Sequence, residues 1–363
     1  MAKWENNVRK VEPYTPGEQP VMERIIKLNT NENPYPPSPH VTEAIRALEP
    51  KAFTRYPDPN ASKLRDAIAE RYGFNSDQIF VGVGSDDVLA MSFLTFFASG
   101  RPILFPDITY SFYKVWADLF RIPYEEKPLD GRFCVENRSY YAENGGIVLA
   151  NPNAPTGILM DLSQVEDIVS RNRDVVVIVD EAYIDFVIST DSKEMQRHPQ
   201  SAMNLIDKYE NLLVVQTFSK SRSMAGMRIG FAAGSPKLIR FLNDAKFSFN
   251  SYTLNSAAIA AGTAAVKDDD WFRQSIRKIT RTRERVEHEL RKLGFFSTNS
   301  EANFLFVCHP DIPARDLFED LREQGIFVRY FDLPRIDQFL RITIGTDGQM
   351  DELLDYLRKR VTQ

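Results

Sequence analysis

Leu212-Leu213-Val214-Val215-Gln216-Thr217-Phe218-Ser219-Lys220 runs directly into Ser221-Arg222-Ser223-Met224-Ala225-Gly226-Met227-Arg228-Ile229-Gly230. The opening apolar run reads as a buried strand. Lys220 stands just past its end. A lysine that must leave water there is costly to keep charged. Desolvation lowers its pKa and makes the amine nucleophilic. The natural partner of such an amine is an aldehyde, and the common biological one is pyridoxal 5'-phosphate (PLP). Ser219 and Arg228 suit that molecule's phosphate. Taken alone, Ser-Lys is a frequent dipeptide, and a surface lysine at a strand exit is the simpler reading. The rest of the chain decides between the two.

On either side of this stretch, short apolar runs alternate with helical patterns. The spacing predicts strands over 78–84, 102–106, 146–151, 175–180, 212–219 and 228–233. Helices are expected between them, including 86–97, 110–120 and 162–171. Val175-Val176-Val177-Ile178-Val179 is apolar on both faces. That pattern belongs to a mostly parallel central sheet covered by helices, an α/β fold. Residues 189–203 are polar and read as a surface insertion. A long helix is expected from about Asp270 to Leu293, with Arg283 in one of its apolar slots. Asp268, Asp269 and Asp270 suit its positive end and Gly294 stops it. Strands over 303–308, 326–330 and 339–345, with helices over 313–324 and 349–361, complete a smaller α+β domain. The expected division is an N-terminal arm with part of the small domain (1–50), a large domain (51–265) and a small C-terminal domain (266–363).

Composition narrows the function classes. The chain has 363 residues, 43% hydrophobic and 26% charged, with a net charge of -5. These values are ordinary for a globular protein and favour neither nucleic acid nor an anionic membrane as partner. No apolar run approaches the ~20 residues that span a bilayer. The polar start Met1-Ala2-Lys3-Trp4-Glu5 does not read as a signal peptide. Two cysteines give no disulfide framework, which fits a reducing, cytoplasmic setting. Four scattered histidines and no Cys-x-x-Cys predict no metal site.

Four polar features fall at ends of predicted parallel strands, where ligands of such sheets sit. Val81-Gly82-Val83-Gly84-Ser85-Asp86 leads a strand into a helix, whose free N–H groups can bind phosphate. A lone Gly-x-Gly fits a tight turn equally well. Asn151-Pro152-Asn153-Ala154-Pro155-Thr156-Gly157 is a rigid loop. In Asp180-Glu181-Ala182-Tyr183, an Asp at a buried strand end can hold a protonated pyridine nitrogen. Tyr183 could bond that ring's phenolic oxygen. A Walker-type carboxylate pair would need a Gly-x-x-x-x-Gly-Lys-[Ser/Thr] loop, which the chain lacks. The Lys220–Arg228 segment is the fourth feature. In the smaller domain, Arg329 and Arg341 lie in apolar strands, where an arginine is expensive unless paired. Its planar fork matches carboxylate or phosphate.

These motifs, in this order, resemble the fold-type I PLP-dependent aminotransferases, and more closely the histidinol-phosphate aminotransferase family. The carrying stretches are Leu28-Asn29-Thr30-Asn31-Glu32-Asn33-Pro34, Arg55-Tyr56-Pro57-Asp58, Gly84-Ser85-Asp86, Ile108-Thr109-Tyr110-Ser111-Phe112-Tyr113, Asn151 to Gly157, Asp180 to Tyr183, Thr217 to Arg228, Ala302-Asn303-Phe304 and Leu340 to Thr346.

The resemblance implies roles. Lys220 carries the covalent link to PLP and later moves a proton between substrate and cofactor. Asp180 pairs with the ring nitrogen, Tyr183 bonds the ring oxygen and Tyr110 stacks on the ring. Ser85, Asp86, Thr217, Ser219 and Arg228 surround the phosphate. Tyr56 reaches the phosphate of the other subunit's cofactor, which implies a homodimer. Arg341 holds the amino donor's carboxylate and, with Arg329 and Tyr14, the phosphate of histidinol phosphate. The implied reaction is transamination of histidinol phosphate with 2-oxoglutarate. The alternatives are an aromatic or broad-range aminotransferase, or a phosphothreonine-type decarboxylase. A PLP-fold regulator would need an attached DNA-binding segment, for which the first 50 residues leave no room. Two departures stand out. The family's second Asn of Asn-Asn-Pro-Thr-Gly is Ala154 here, so Tyr183 alone, Asn153 or a water would serve the ring oxygen. The missing bond is worth about 0.5–1.5 kcal/mol. Ser221-Arg222-Ser223-Met224 is also more polar than the family's Ala-Phe-x-Leu.

Overall fold

The computed structural model describes residues 3–20, 24–187 and 197–362. Its strands are β1 (Ile26–Lys27), β2 (Ile79–Gly82), β3 (Ile103–Pro106), β4 (Tyr124–Lys127), β5 (Ile147–Ala150), β6 (Val177–Asp180) and β7 (Leu212–Thr217). There follow β8 (Gly230–Gly234), β9 (Phe296–Ser297), β10 (Phe304–Cys308), β11 (Ile326–Phe327), β12 (Arg329–Tyr330) and β13 (Leu340–Thr343). The central sheet has seven strands in the order β2-β8-β7-β6-β5-β3-β4. All run parallel except β8, which is antiparallel to both its neighbours.

The doubly apolar strands put successive side chains on opposite faces. Ile147, Leu149, Val177, Val179, Leu212 and Val214 pack on one side, with helices Ser62–Tyr72 and Ser256–Lys267. Val148, Ile178, Leu213 and Val215 pack on the other, with helices Ser85–Phe96, Phe112–Phe120 and Pro236–Phe249. Period-two alternation with both faces apolar is what a fully covered sheet requires. Each such buried aliphatic contributes about 1.5–3 kcal/mol of burial.

A second sheet is antiparallel with four strands, β12-β13-β10-β9, and packs on helices Asp269–Lys292, Ala314–Glu323 and Asp347–Val361. Asp268 caps the long helix, accepting from the Trp271 N–H at 3.2 Å. Arg283 fills its apolar slot by donating to the carbonyls of Phe186 and Ala302 and to Glu301 at 2.9 Å.

The structure departs from the sequence reading in several places. The expected strand 326–330 is broken at Val328: β11 pairs with β1, and β12 with β13. Of the expected surface insertion (189–203), residues 189–196 lie outside the described residues, and its end is buried. Ser201 and the Ala202 N–H donate to the Glu181 carboxylate, each at 2.6 Å. Arg228 precedes its strand, with a left-handed φ of 52°. In the N-terminal segment, Ile26 and Leu28 join the apolar cluster beside the four-stranded sheet, whereas Val41 on helix Pro39–Arg46 joins that of the central sheet.

Arg222 accounts for the polar segment after the lysine. It lies 5.4 Å from the Phe218 ring and 4.2 Å from that of Phe272, and donates to the Ala265 carbonyl at 2.9 Å. It therefore ties the lysine loop to the end of helix Ser256–Lys267. Among the described residues, no helix is long and apolar enough to cross a membrane. Nor is there a cluster of three or more His, Cys, Asp or Glu able to hold a metal.

Candidate active site

A cavity of about 380 Å³ opens where β2, β5, β6 and β7 end. Because β8 runs the other way, its beginning lies at the same edge. Gly230 is paired with Gly82 on one side and Thr217 on the other. The structure brings Ser85, Asp86, Tyr110, Asp180, Tyr183, Thr217, Ser219, Lys220 and Arg228 together in its lining.

Lys220 donates its amine to the Thr30 carbonyl at 2.9 Å. Its pKa is pushed down to about 8, first by burial and then by the nearby Arg341 guanidinium. A substantial neutral fraction at physiological pH is what a nucleophilic amine needs.

One end of the cavity is an anion cradle. Helix Ser85–Phe96 begins there with no side-chain cap at Gly84, so its first N–H groups lack intrahelical partners. A Cβ on Gly230 would lie 2.3 Å from the Ser85 amide nitrogen, so glycine lets the two segments touch. Arg228 reaches Ser219 Oγ at 3.5 Å and Asp86 Oδ2 at 3.2 Å. Asp86 also accepts from the Tyr110 hydroxyl at 2.9 Å.

At the other end Asp180, 5% exposed, has no ion-pair partner among the described residues. Burial raises its carboxyl to about 6. The Tyr113 hydroxyl, donating at 2.8 Å, and the Ala182 N–H, at 3.2 Å, pull the other way. A buried carboxylate that borders a cavity and has no ion-pair partner among the described residues suits a ligand that brings a cation.

Tyr183 accepts from Asn31 Nδ2 at 2.9 Å, and burial raises its phenol. Ala154 lines the cavity and packs with Ala302, Phe304 and Tyr183. Asn153, expected at the cofactor, is not among the residues that line it. Its amide donates to the Ile108 carbonyl at 2.9 Å and Thr156 Oγ1 at 3.1 Å, and accepts from Thr109 at 2.8 Å. Both amide N–H groups are thus used in tying its loop to the segment at Ile108 and Thr109.

Arg341 and Arg329 stand beside the cavity rather than in its lining. They are direct partners across β12 and β13. Arg341 donates to the Asn29 carbonyl at 3.0 Å, while its buried Nε has no hydrogen-bond partner among the described residues. Burial lowers its pKa and Arg329 adds to that. Tyr14 is close enough to act on Arg341 and Tyr183, and stacks on Phe112 at 4.2 Å. Tyr56 lies outside the cavity, 80% exposed and stacked on Tyr252 at 4.4 Å. Thr30 and Glu32 also line the cavity, and Asn31 and Tyr113 bond the side chains of Tyr183 and Asp180; all four belong to the sequence motifs but had no role predicted from them. For Tyr113 the available signal was its place one helical turn after Tyr110.

A desolvated lysine, a helix start without a side-chain cap beside Arg228 and Ser219, and a buried carboxylate with no ion-pair partner among the described residues fit the aldehyde, phosphate and ring nitrogen of PLP. Fold and site together define a PLP-dependent transferase. The chain belongs to the aminotransferase class I and II family, which it matches over residues 23–357. It is 50% identical over 356 residues to a histidinol-phosphate aminotransferase of Clostridium acetobutylicum, covering 98% of each chain. Its fold is similar to that of the Sinorhizobium meliloti histidinol-phosphate aminotransferase solved with pyridoxal-5'-phosphate. That likeness has a TM-score of 0.84 at 23% identity, over 93% of this chain and 92% of that one. An L-threonine-O-3-phosphate decarboxylase of Porphyromonas gingivalis has a similar fold. There the TM-score is 0.77 at 19% identity, over 93% of this chain and 100% of that one.

Proposed function

We propose that the protein transfers an amino group from histidinol phosphate to 2-oxoglutarate, a step of histidine biosynthesis, in the cytoplasm and as a homodimer. The observation that carries the substrate is the pairing of Arg329 with Arg341. Like charges directly opposite on one face of a sheet repel. Neither has a carboxylate partner among the described residues. A phosphate ester offers enough negative charge for both forks. Glutamate's carboxylate can use Arg341 in turn, and histidinol phosphate has no carboxylate to compete for it. The named relative at 50% identity supports the same substrate.

When bound, PLP supplies an aldehyde and an electron-withdrawing ring. Asp180 presents its carboxylate to the ring nitrogen, and Tyr183 its hydroxyl to the ring oxygen. The helix start at Ser85, with Ser219 and Arg228, grips the phosphate. Lys220 Nζ is placed to take and return the proton that transamination moves. Tyr56, with exposed Phe53, Phe249 and Tyr252, offers an aromatic face for the second subunit. The free cysteines Cys134 and Cys308 fit a reducing compartment.

Single-turnover amination of the cofactor with histidinol phosphate, glutamate and phenylalanine tests this reading. Histidinol phosphate and glutamate are expected to react, and phenylalanine far more slowly. Comparable rates for phenylalanine and histidinol phosphate would favour an aromatic aminotransferase. Release of carbon dioxide from phosphothreonine would favour a decarboxylase.

A further inference from the structure

We infer that Asn31 is a positioning residue, which aims the Tyr183 hydroxyl proton at the cofactor's ring oxygen and so fills the task that Ala154 leaves open. This inference rests on the PLP reading of the cavity.

A tyrosine hydroxyl has one proton and two lone pairs. Asn31 Nδ2 donates into one lone pair at 2.9 Å. Among the described residues the Tyr183 proton has no acceptor, and Tyr183 lines the cavity. The proton is therefore left for whatever occupies that space.

The direction of the Asn31 amide is fixed by its other contacts. Thr343 is 2% exposed, and its hydroxyl accepts from the Asn31 N–H at 3.0 Å. The Thr343 proton then has one acceptor, Asn31 Oδ1, at 3.0 Å. With Oδ1 committed to Thr343, Nδ2 must face Tyr183. The Asn31 carbonyl accepts from Asn303 Nδ2 at 3.0 Å. The residue has a left-handed φ of 55° and is 1% exposed, a conformation Asn tolerates better than other side chains with a Cβ.

The opposite flank of Tyr183 is apolar. Ala154, Ala302 and Phe304 form it, with the Phe304 ring edge-on at 5.2 Å. An amide at position 154 would be a second donor to the ring oxygen. Here a methyl group leaves one hydroxyl to serve it, so the direction of its proton matters. The charged and titratable neighbours of Tyr183 include Arg341, Asp180, Tyr14, Tyr110 and Tyr113, and the variants below leave all five in place.

The test is a spectrophotometric pH titration of the purified holoenzyme. A donor at the ring oxygen stabilises negative charge there, which lowers the pH at which the linked lysine nitrogen loses its proton. Asn31→Asp keeps the side chain's size and its contact with Thr343. It replaces the donor by an acceptor that draws the Tyr183 proton away from the cavity. The midpoint of the visible absorbance change is expected to rise by about one pH unit. Adding Ala154→Asn should bring it back toward the wild-type value. In a Tyr183→Phe background Asn31→Asp should add little, because the path through the hydroxyl is gone. A direct effect of the new charge would survive in that background. If Asn31→Asp does not fold, Thr343→Val frees the amide to turn and should give a smaller rise, again lost with Tyr183→Phe. An unchanged midpoint, or the same rise with and without the Tyr183 hydroxyl, overturns the inference. A wild-type protein with no visible band and no pyridoxyl mass on the Lys220 peptide after borohydride reduction overturns the PLP reading instead.

Discussion

The Tyr113 hydroxyl donates to Asp180 Oδ2 at 2.8 Å, and both side chains are buried. Burial raises the Asp180 carboxyl to about 6, and the tyrosine holds it from going higher. Only the ionised carboxylate can pair with a protonated ring nitrogen. Cofactor affinity should therefore be level above about pH 7 and weaken by about tenfold per pH unit below the carboxyl's midpoint. Tyr113→Phe removes one donor and moves that midpoint upward. Dissociation constants of PLP from the apoprotein, measured across this range for both proteins, check it. Superimposable curves would refute the coupling.

Asp180→Asn should stabilise the apoprotein while impairing its use of the cofactor. The carboxyl's folded value, about 6, lies above its ordinary 3.8. Between those values the folded state binds more protons than the unfolded one. Stability present at low pH is thus lost as pH rises through the window. The full loss is on the order of 3 kcal/mol. The apo Asp180→Asn protein should melt several degrees above wild type near pH 8, and the gain should shrink toward pH 4. Calorimetry at both pH values decides it, and no gain near pH 8 would sink the idea.

The local part of this molecule was legible because local physics sets it. Helix Leu162–Arg171 falls where its apolar spacing put it, started by a capping box between Asp161 and Gln164. β6 and β7 are apolar on both faces because helices cover both. The edge strand Tyr124–Lys127 was missed because Tyr-Glu-Glu-Lys carries no apolar signal. The run 326–330 looked continuous because residues of two sheets happen to adjoin. In the site, Lys220, Asp180 and Arg228 were visible as charges beside buried strands. Asn31 was not, since its partner Thr343 lies 312 residues away. The hydrogen bonds of Asn153 were not legible either, because loop composition does not show where an amide's bonds go.

Gly230→Ala should weaken cofactor binding with little effect on the core. A Cβ there would meet Ser85 N at 2.3 Å and the Gly84 carbonyl carbon at 2.4 Å. These are backbone atoms at the helix start, so the cradle itself must move. A displaced helix start loses part of its grip on phosphate, worth one charge-assisted hydrogen bond or about 1.5–3 kcal/mol. The expected rise in the PLP dissociation constant is about tenfold or more. Equilibrium dialysis measures it, and wild-type affinity would show that the close approach plays no part.

Arg329 and Arg341 separate the two substrates. Both guanidinium groups extend from the same face of β12 and β13, and Arg341 alone also donates to the arm at Asn29. A phosphate ester engages both forks, whereas an amino acid's carboxylate needs one. Arg329→Met should raise KM for histidinol phosphate by about 10–100-fold, the value of one charged hydrogen bond, and change KM for glutamate far less. Arg341→Lys keeps the charge but loses the fork and should impair both donors. Steady-state kinetics in each half-reaction read this directly. Equal losses for both donors in Arg329→Met would mean that Arg329 only supports Arg341, and the phosphate would then need another anchor.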